Sequence, residues 1–143
     1  MRVLLMNGPN LNLLGQREPD IYGHFTLQQI ESMVCEHAAE QGVEVDCFQS
    51  NHEGVLIDKI HESQGLYDGI VYNPGAHTHY SYAIHDAISS VTTPVVEIHI
   101  SDISKRDAFR QISVLVDVCI GQVKGEGIQG YITAFDMLME HLR

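Results

Sequence analysis

Short apolar runs recur along the chain, separated by longer segments in which apolar residues return every three or four positions. The runs have the length and composition of buried β-strands, and they are predicted at 3–6, 43–48, 69–72, 94–100 and 118–123. The longer segments have the spacing of amphipathic helices. This alternation of strand and helix predicts one α/β domain, 1–143, with a parallel sheet and right-handed crossovers.

Capping residues and apolar spacing place the helices. Thr26 and Gln29 form a capping box, with Phe25 positioned to pack against Ile30, and Gly42 is expected to end this helix. The buried face of this first helix is predicted to be Leu27, Ile30, Val34 and Ala38.

Three further helices are predicted, together with a short helical segment. Asn51 is the predicted cap of a second helix that ends near Gly65, and a short helix is expected around 105–111. The third helix is expected to carry Ala83, Ile84, Ala87, Ile88 and Val91. The last helix has the longest apolar stripe: Ile128, Tyr131, Ile132, Phe135, Leu138, Met139 and Leu142.

The expected strand order is the flavodoxin-like, doubly wound 2-1-3-4-5, the commoner order at this length. Ligands of such sheets bind outside the carboxyl ends of the strands, where the winding reverses between strands 1 and 3. The segments that leave strands 1, 3 and 4 are 7–23, 73–79 and 99–104, and all three are polar. We therefore expect these three segments to converge on one site.

The connection 7–23 is too long and too rich in Gly and Pro for regular structure, and loops of this length are more often functional than structural. Its side chains can hydrogen-bond, bind an anion and accept a proton; they include Asn10, Asn12, Arg17 and Tyr22. A plain polar surface loop is the alternative.

Net charge is −11, which argues against a nucleic-acid partner and against an anionic membrane surface. The few basic residues include a group at Lys105, Arg106 and Arg110, which suits a small anionic ligand.

Three widely spaced cysteines predict buried thiols in a reducing cytoplasm. No signal peptide or membrane-spanning stretch is evident, so a soluble intracellular protein is expected.

Glu97 and His99 are two apart on a predicted strand, so their side chains point to the same face. A carboxylate beside an imidazole can fix its tautomer and raise its basicity, as a general acid requires. A solvated pair at the strand end is the alternative.

Tyr22 is a candidate base, although its ordinary pKa is about 10. For Tyr22 to act as a base near neutral pH, its pKa must fall by about 3 units, which corresponds to roughly 4 kcal/mol in favour of the phenolate. Arg17 can supply this stabilisation in a site closed from water. Alternatively, the ring of Tyr22 has only a packing role, against the base of the loop that carries it.

Polar groups on the other segments can bind substrate. Asn10 and Asn73 can orient a substrate or a water, although Asn before Pro-Gly is also an ordinary turn residue. Arg110, with the backbone amides of Ile100 and Ser101, can hold a carboxylate or phosphate, or else be a surface Arg.

No cofactor or metal is expected. His77 and His79 lack a matching set of ligands, and the glycines near the last helix fit neither the dinucleotide nor the P-loop spacing. A flavodoxin-like binding or signalling module without catalysis stays an alternative, as does another lyase or hydrolase on the same scaffold. A receiver domain would need acidic residues where this chain has asparagines.

Eight motifs in order resemble type II 3-dehydroquinate dehydratase over residues 2–142. They are Asn7-Gly-Pro-Asn-Leu-Asn-Leu-Leu-Gly15, Arg17-Glu-Pro, Tyr22-Gly, Asn73-Pro-Gly-Ala, Thr78-His79, Asp86-Ala, Glu97-Ile-His-Ile-Ser101 and Gly127-Ile-Gln-Gly-Tyr131. The resemblance implies reversible loss of water from 3-dehydroquinate to give 3-dehydroshikimate through an enolate, without a Schiff base, in the shikimate pathway or in quinate catabolism.

The resemblance also implies catalytic roles. Tyr22 takes the proton next to the ketone, Arg17 favours the phenolate, and Asn10 holds a water that helps the enolate form. His99 protonates the departing hydroxyl, and Glu97 orients His99.

The remaining implied features concern binding and assembly. Segment 8–24 acts as a lid, and Asp86 reaches the site of a neighbouring subunit in a homo-oligomer, usually a dodecamer of trimers. The residues implied to bind the substrate are Asn73, His79, Ile100, Ser101 and Arg110. Departures from the family pattern, expected to affect affinity and subunit packing rather than the reaction, are His77, Tyr80, Tyr82, Gln111, Ile112, 114–118 and Glu126.

Overall fold

The computed structural model describes residues 1–16, 18, 20 and 23–143. Within these residues, five strands form a single parallel sheet: β1 (Arg2–Asn7), β2 (Glu44–Gln49), β3 (Gly69–Asn73), β4 (Val95–His99) and β5 (Gly121–Lys124). Their order is β2-β1-β3-β4-β5, which confirms the predicted doubly wound topology.

Helices cover both faces of the sheet. Within the described residues the α-helices are α1 (Leu27–Ala39), α2 (Glu53–Ser63), α3 (Tyr82–Ser89) and α4 (Gln129–Leu142). Apolar residues of α1 and α4 form one core with one face of the sheet, and those of α2 and α3 form a second core with the other face. β1 is apolar and fully buried from Val3 to Met6 because it lies between these two cores.

The predicted capping box starts α1. Thr26 Oγ1 accepts a hydrogen bond from the Gln29 amide at 3.2 Å, and Gln29 Oε1 accepts one from the Thr26 amide at 2.9 Å. Gly42, with φ of 72°, follows the helix end as predicted. Phe25 is 49% exposed, and the buried positions of α1 are those expected: Leu27, Ile30, Val34 and Ala38.

Two predictions around α2 and α3 are wrong. His52, not Asn51, is the N-cap of α2. The side-chain oxygen of Asn51 instead accepts a hydrogen bond from the backbone amide of Asn10, in the loop that follows β1. Val91 lies beyond the end of α3, because this helix is only eight residues long, whereas Ala83 lies on the helix as expected, with its side chain exposed.

The segment after β4 also differs from the prediction. The short helix expected at 105–111 is two 3-10 helices, Ile103–Lys105 and Ala108–Arg110. The extended backbone of Arg106 (φ −93°, ψ −174°) separates them. β5 starts at Gly121 rather than at 118, because Val118 belongs to a turn closed by its amide on the Leu115 carbonyl, and the register with β4 starts at Gly121 opposite Val96.

The cysteines are less buried than expected. Cys47 lies on the edge strand β2 and is exposed, whereas Cys35 and Cys119 are partly buried. All three are free thiols. Among the helices of the described residues, none is both long and apolar enough to cross a membrane.

Candidate active site

The segments that follow β1, β3 and β4 meet in one cleft at the carboxyl edge of the sheet, as predicted. The cleft encloses about 480 Å³, part of it open to solvent. Asn10 contributes from the first segment, Asn73 and His79 from the second, and His99 and Ile100 from the third. Ser101 and Arg110 also line it, so the topology brings seven of the predicted site residues together.

Glycines allow the first two segments to touch. The Gly8 amide donates a hydrogen bond to the Asn73 carbonyl at 2.8 Å. A Cβ atom at Gly8 would lie 2.5 Å from the Pro74 carbonyl oxygen, closer than real side chains approach. Gly75 has φ of 60°, in the left-handed region, and its missing Cβ would lie 3.0 Å from the Pro9 carbonyl oxygen. This close backbone approach fixes one wall of the cleft.

The end of β2 holds Asn10 in place. Asn10 has φ of 69°, a left-handed conformation that Asn tolerates better than most residues. Its backbone amide donates to Asn51 Oδ1 at 2.9 Å. Gln49 Nε2 donates to the same Asn51 oxygen at 3.1 Å and to the Gly8 carbonyl at 3.1 Å.

Glu97 and His99 form a buried pair. Glu97 is fully buried, His99 is 5% exposed, and His99 Nε2 donates a hydrogen bond to Glu97 Oε2. The pair is therefore not the solvated one that the sequence left open. Because Nε2 is engaged by Glu97, Nδ1 is the ring nitrogen that remains for a ligand.

Glu97 is ionised despite its burial. Burial raises the pKa of this carboxyl, but the hydrogen bond and charge of His99 lower it, as do hydroxyl donors from Thr78 and Ser113. The net result is a pKa below the ordinary Glu value. The carboxylate can thus stabilise a positive charge on the imidazole.

Asn73 is oriented by a chain of buried hydrogen bonds. Its Oδ1 accepts from the Gly75 amide at 3.1 Å, and its Nδ2 donates to the Tyr131 hydroxyl at 2.9 Å. The Tyr131 hydroxyl in turn donates to Asn7 Oδ1 at 2.6 Å. The amide of Asn73 is therefore held in one orientation at the cleft wall.

His79 is held as a neutral acceptor. Its Nδ1 donates to the Ile112 carbonyl at 2.8 Å, which leaves Nε2 as an acceptor. Burial lowers the pKa of His79, and the charges of His99, Arg110 and Arg106 add to this effect against the Ile112 hydrogen bond.

Of the arginines that the structure describes, two line the cleft near Ile100 and Ser101. Arg106 Nη1 donates to Ser101 Oγ at 3.3 Å, and Arg110 stacks over the Phe109 ring at 4.7 Å. Two guanidinium groups in a protein of net charge −11 make the cleft suitable for a small anion.

Other predicted site residues lie elsewhere. Asp86, on α3, is exposed and outside the cleft, and its Oδ1 accepts from His85 Nδ1 at 3.0 Å. Arg17 and Tyr22 lie outside the described residues, as does part of the predicted lid 8–24. His77 is buried, and its Nδ1 has no hydrogen-bond partner among the described residues. In the part of the chain that is described, no group of three His, Cys, Asp or Glu residues could hold a metal ion.

Several residues around the cleft were not predicted as site residues. Tyr131 was assigned to the apolar stripe of α4, and Asn51 to a helix cap. Thr78 and Ser113 carry short hydroxyls in loops, which give no periodic signal. Arg106 was noted only as part of a basic group, and it alone had a signal that could have placed it at an anion site.

Known proteins of one family match this chain along its length. The family model described as dehydroquinase class II matches residues 1–139. A 3-dehydroquinate dehydratase from Anoxybacillus flavithermus is 57% identical over 140 residues, covering 98% of this chain and 95% of that protein. The crystal structure of type II dehydroquinase from Butyrivibrio crossotus is 52% identical, with a TM-score of 0.95 and 97% of each chain covered. A type II dehydroquinase structure from Propionibacterium acnes is 35% identical, with a TM-score of 0.91 and 96% of each chain covered. The chain belongs to the class II dehydroquinase family.

Proposed function

We propose that this chain is a hydro-lyase that converts 3-dehydroquinate reversibly to 3-dehydroshikimate, a step of the shikimate pathway that can also serve quinate catabolism. One observation supports this most: His99, hydrogen-bonded to the buried carboxylate of Glu97, lines the same cleft as two arginines and two asparagines. The reaction needs a group that gives a proton to the leaving hydroxyl and groups that hold a carboxylate, and the cleft has both.

His99 is the general acid. Its Nε2 is bound to the Glu97 carboxylate, so a protonated ring presents its Nδ1–H to the departing hydroxyl. Glu97 orients the ring and stabilises its charge.

Tyr22 is the base that removes the proton next to the ketone, and Arg17 stabilises its phenolate. Both assignments come from the match of Arg17-Glu-Pro and Tyr22-Gly to the family. Asn10 holds the water that assists the enolate, and its place in the cleft supports this role. Segment 8–24 closes over the substrate as a lid.

The substrate carboxylate binds at Arg110 and at the backbone of Ile100 and Ser101. The ring hydroxyls bind at Asn73 and at His79, whose neutral Nε2 can accept a hydroxyl proton.

The enzyme works as a homo-oligomer, a dodecamer built from trimers, in which Asp86 completes the active site of a neighbouring subunit. Two observations support assembly: the side chain of Asp86 is 79% exposed outside its own cleft, and large apolar side chains are exposed beside the cleft. These side chains are Tyr80, Tyr82, Phe109 and Ile112. We place the enzyme in the cytoplasm on the odd number and wide spacing of its three cysteines, a pattern typical of proteins kept reduced.

The test follows ultraviolet absorbance when purified protein meets 3-dehydroquinate. The product is a conjugated enone and the substrate is not, so absorbance should grow with time in proportion to protein. Treatment with borohydride in the presence of substrate should leave activity intact, because no lysine imine forms. No growth of absorbance would refute the proposed activity.

A further inference from the structure

Two hydroxyl side chains converge on the buried carboxylate of Glu97. Thr78, in the 3-10 helix Gly75–His79, places its Oγ1 2.5 Å from Glu97 Oε2. Ser113, in the segment before β5, places its Oγ 2.9 Å from Oε1 and 2.8 Å from Oε2. With His99, three donors therefore surround a side chain that has no exposure to solvent.

The local backbone points these hydroxyl protons at the carboxylate. Ser113 Oγ accepts from the Leu115 amide at 3.2 Å, so its own proton is free to be donated to Glu97. The Val114 amide donates to the Thr78 carbonyl at 2.7 Å, which ties the Ser113 segment to the 3-10 helix. The two hydroxyl oxygens are 3.0 Å apart and lie on the same side of the carboxylate.

These hydrogen-bond donors favour the charged form of Glu97. A neutral carboxyl would have to direct its own proton toward groups that already donate to it, whereas a carboxylate accepts from all of them. The other titratable groups facing it are Tyr72 on β3 and Cys119 before β5. Burial raises the pKa of both, so each stays neutral at neutral pH and neither competes with His99 for the carboxylate's charge.

We propose that Thr78 and Ser113 are positioning residues that keep Glu97 ionised and fixed, so that His99 can carry the proton it gives to the leaving hydroxyl. This inference rests on the proposed function of His99. Neither hydroxyl residue lines the cleft, so both act through Glu97 and not on the substrate.

The test replaces each hydroxyl by an apolar group of similar shape, in Thr78→Val and in Ser113→Ala. Thr78→Ser restores the hydroxyl and is the rescue variant. Thr93→Val is the matched control, because it removes a buried hydroxyl that bonds Ser63 Oγ at 3.0 Å away from the cleft. Two readouts are taken: the dependence of kcat on pH, and the carbon-13 NMR signal of the Glu97 carboxyl, assigned with Glu97→Gln.

Loss of one donor to a charged group should raise the pKa of Glu97 by roughly one unit or more. At the acid end of the profile, below the limb set by the Tyr22 phenol, kcat should therefore fall more steeply in Thr78→Val and Ser113→Ala, with KM little changed. The Glu97 signal should begin to titrate at higher pH in the same two variants. Thr78→Ser and Thr93→Val should keep the wild-type acid limb and carboxyl titration.

The inference would be overturned if Thr78→Val and Ser113→Ala both kept the wild-type acid limb of kcat and the wild-type titration of the Glu97 carboxyl. An equal shift in the control Thr93→Val would overturn it as well. Ser113→Ala decides if Thr78→Val does not fold. The NMR readout needs no turnover, so an inactive wild-type protein would refute the proposed function while the carboxyl titration still decides whether the hydroxyls hold Glu97 ionised.

Discussion

Tyr131→Phe is the substitution that best separates the contribution of buried hydrogen bonds to stability from that of apolar packing. The Tyr131 hydroxyl is the middle member of the chain from Asn73 to Asn7, and the residue has no exposure to solvent. The ring of Phe fills the same space, so the change removes one oxygen and leaves the apolar core of α4 in place.

The expected cost follows from the two hydrogen bonds. Their lengths are 2.9 Å to Asn73 Nδ2 and 2.6 Å to Asn7 Oδ1. Each buried polar group left without a partner costs about 1–3 kcal/mol. Allowing for some rearrangement of the two amides, Tyr131→Phe should lower the free energy of unfolding by about 2–4 kcal/mol, a large share of a typical 5–15 kcal/mol. Because the Asn73 amide also loses its orientation, KM for 3-dehydroquinate should rise.

The assay is urea unfolding followed by circular dichroism, at matched protein concentration because assembly adds to stability. Tyr67→Phe is the matched control. The Tyr67 hydroxyl donates to Asp46 Oδ2 at 2.7 Å, but both residues reach solvent, so water replaces the lost partner. The control should lose less than about 1 kcal/mol and should keep its KM. A Tyr131→Phe protein no less stable than Tyr67→Phe, with an unchanged KM, would refute the reasoning.

Three further substitutions test other parts of the account. Tyr22→Phe should abolish turnover while substrate binding stays measurable by calorimetry; wild-type-like turnover would assign the base elsewhere. Arg110→Ala should raise KM by about 10- to 100-fold, the value of a charge-assisted hydrogen bond, with a smaller effect on kcat; an unchanged KM in steady-state kinetics would remove Arg110 from carboxylate binding. His77→Phe should stabilise the protein, because Nδ1 of this buried ring has no partner among the described residues and burial lowers its pKa. As pH falls through about 6.5 the unfolded chain takes up a proton that the folded ring resists, so the advantage of His77→Phe in urea unfolding should grow from about pH 8 to about pH 5.5, and an advantage that shrinks would contradict this.

The architecture was predictable because its signals are local. Apolar runs and helical spacing identify the elements, and the rule for ligand sites in doubly wound sheets then joins segments that are far apart in sequence. That rule alone predicts that Asn10, Asn73 and His99 lie at one edge of the sheet. The strand alternation likewise placed Glu97 and His99 on one face.

The supporting hydrogen bonds were not predictable in the same way. Tyr131 and Asn7 are 124 positions apart, and only the packing of α4 against the sheet brings them together. The hydroxyls of Thr78 and Ser113 likewise find Glu97 through loop geometry that has no period. Asn51 looked like a helix cap because local rules cannot tell that its oxygen is used by Asn10, which folds back from the neighbouring strand.

The start of β5 shows a related limit. Residues 118–123 have a strand-like composition, yet a strand exists only where a neighbour offers backbone partners. The Val118 amide is used in a turn, where it donates to the Leu115 carbonyl at 3.1 Å. Ile120 donates to the Val95 carbonyl of β4 at 2.8 Å, and the paired register then starts at Gly121 opposite Val96.

The most direct measurement compares turnover and substrate binding in wild-type protein and in His99→Ala. The absorbance assay should show turnover lowered by about 10²- to 10⁴-fold, the usual contribution of a general acid, while calorimetry shows binding within about tenfold of wild type. Turnover by His99→Ala at the wild-type rate would contradict the claim that this imidazole, held by a buried carboxylate, protonates the leaving group.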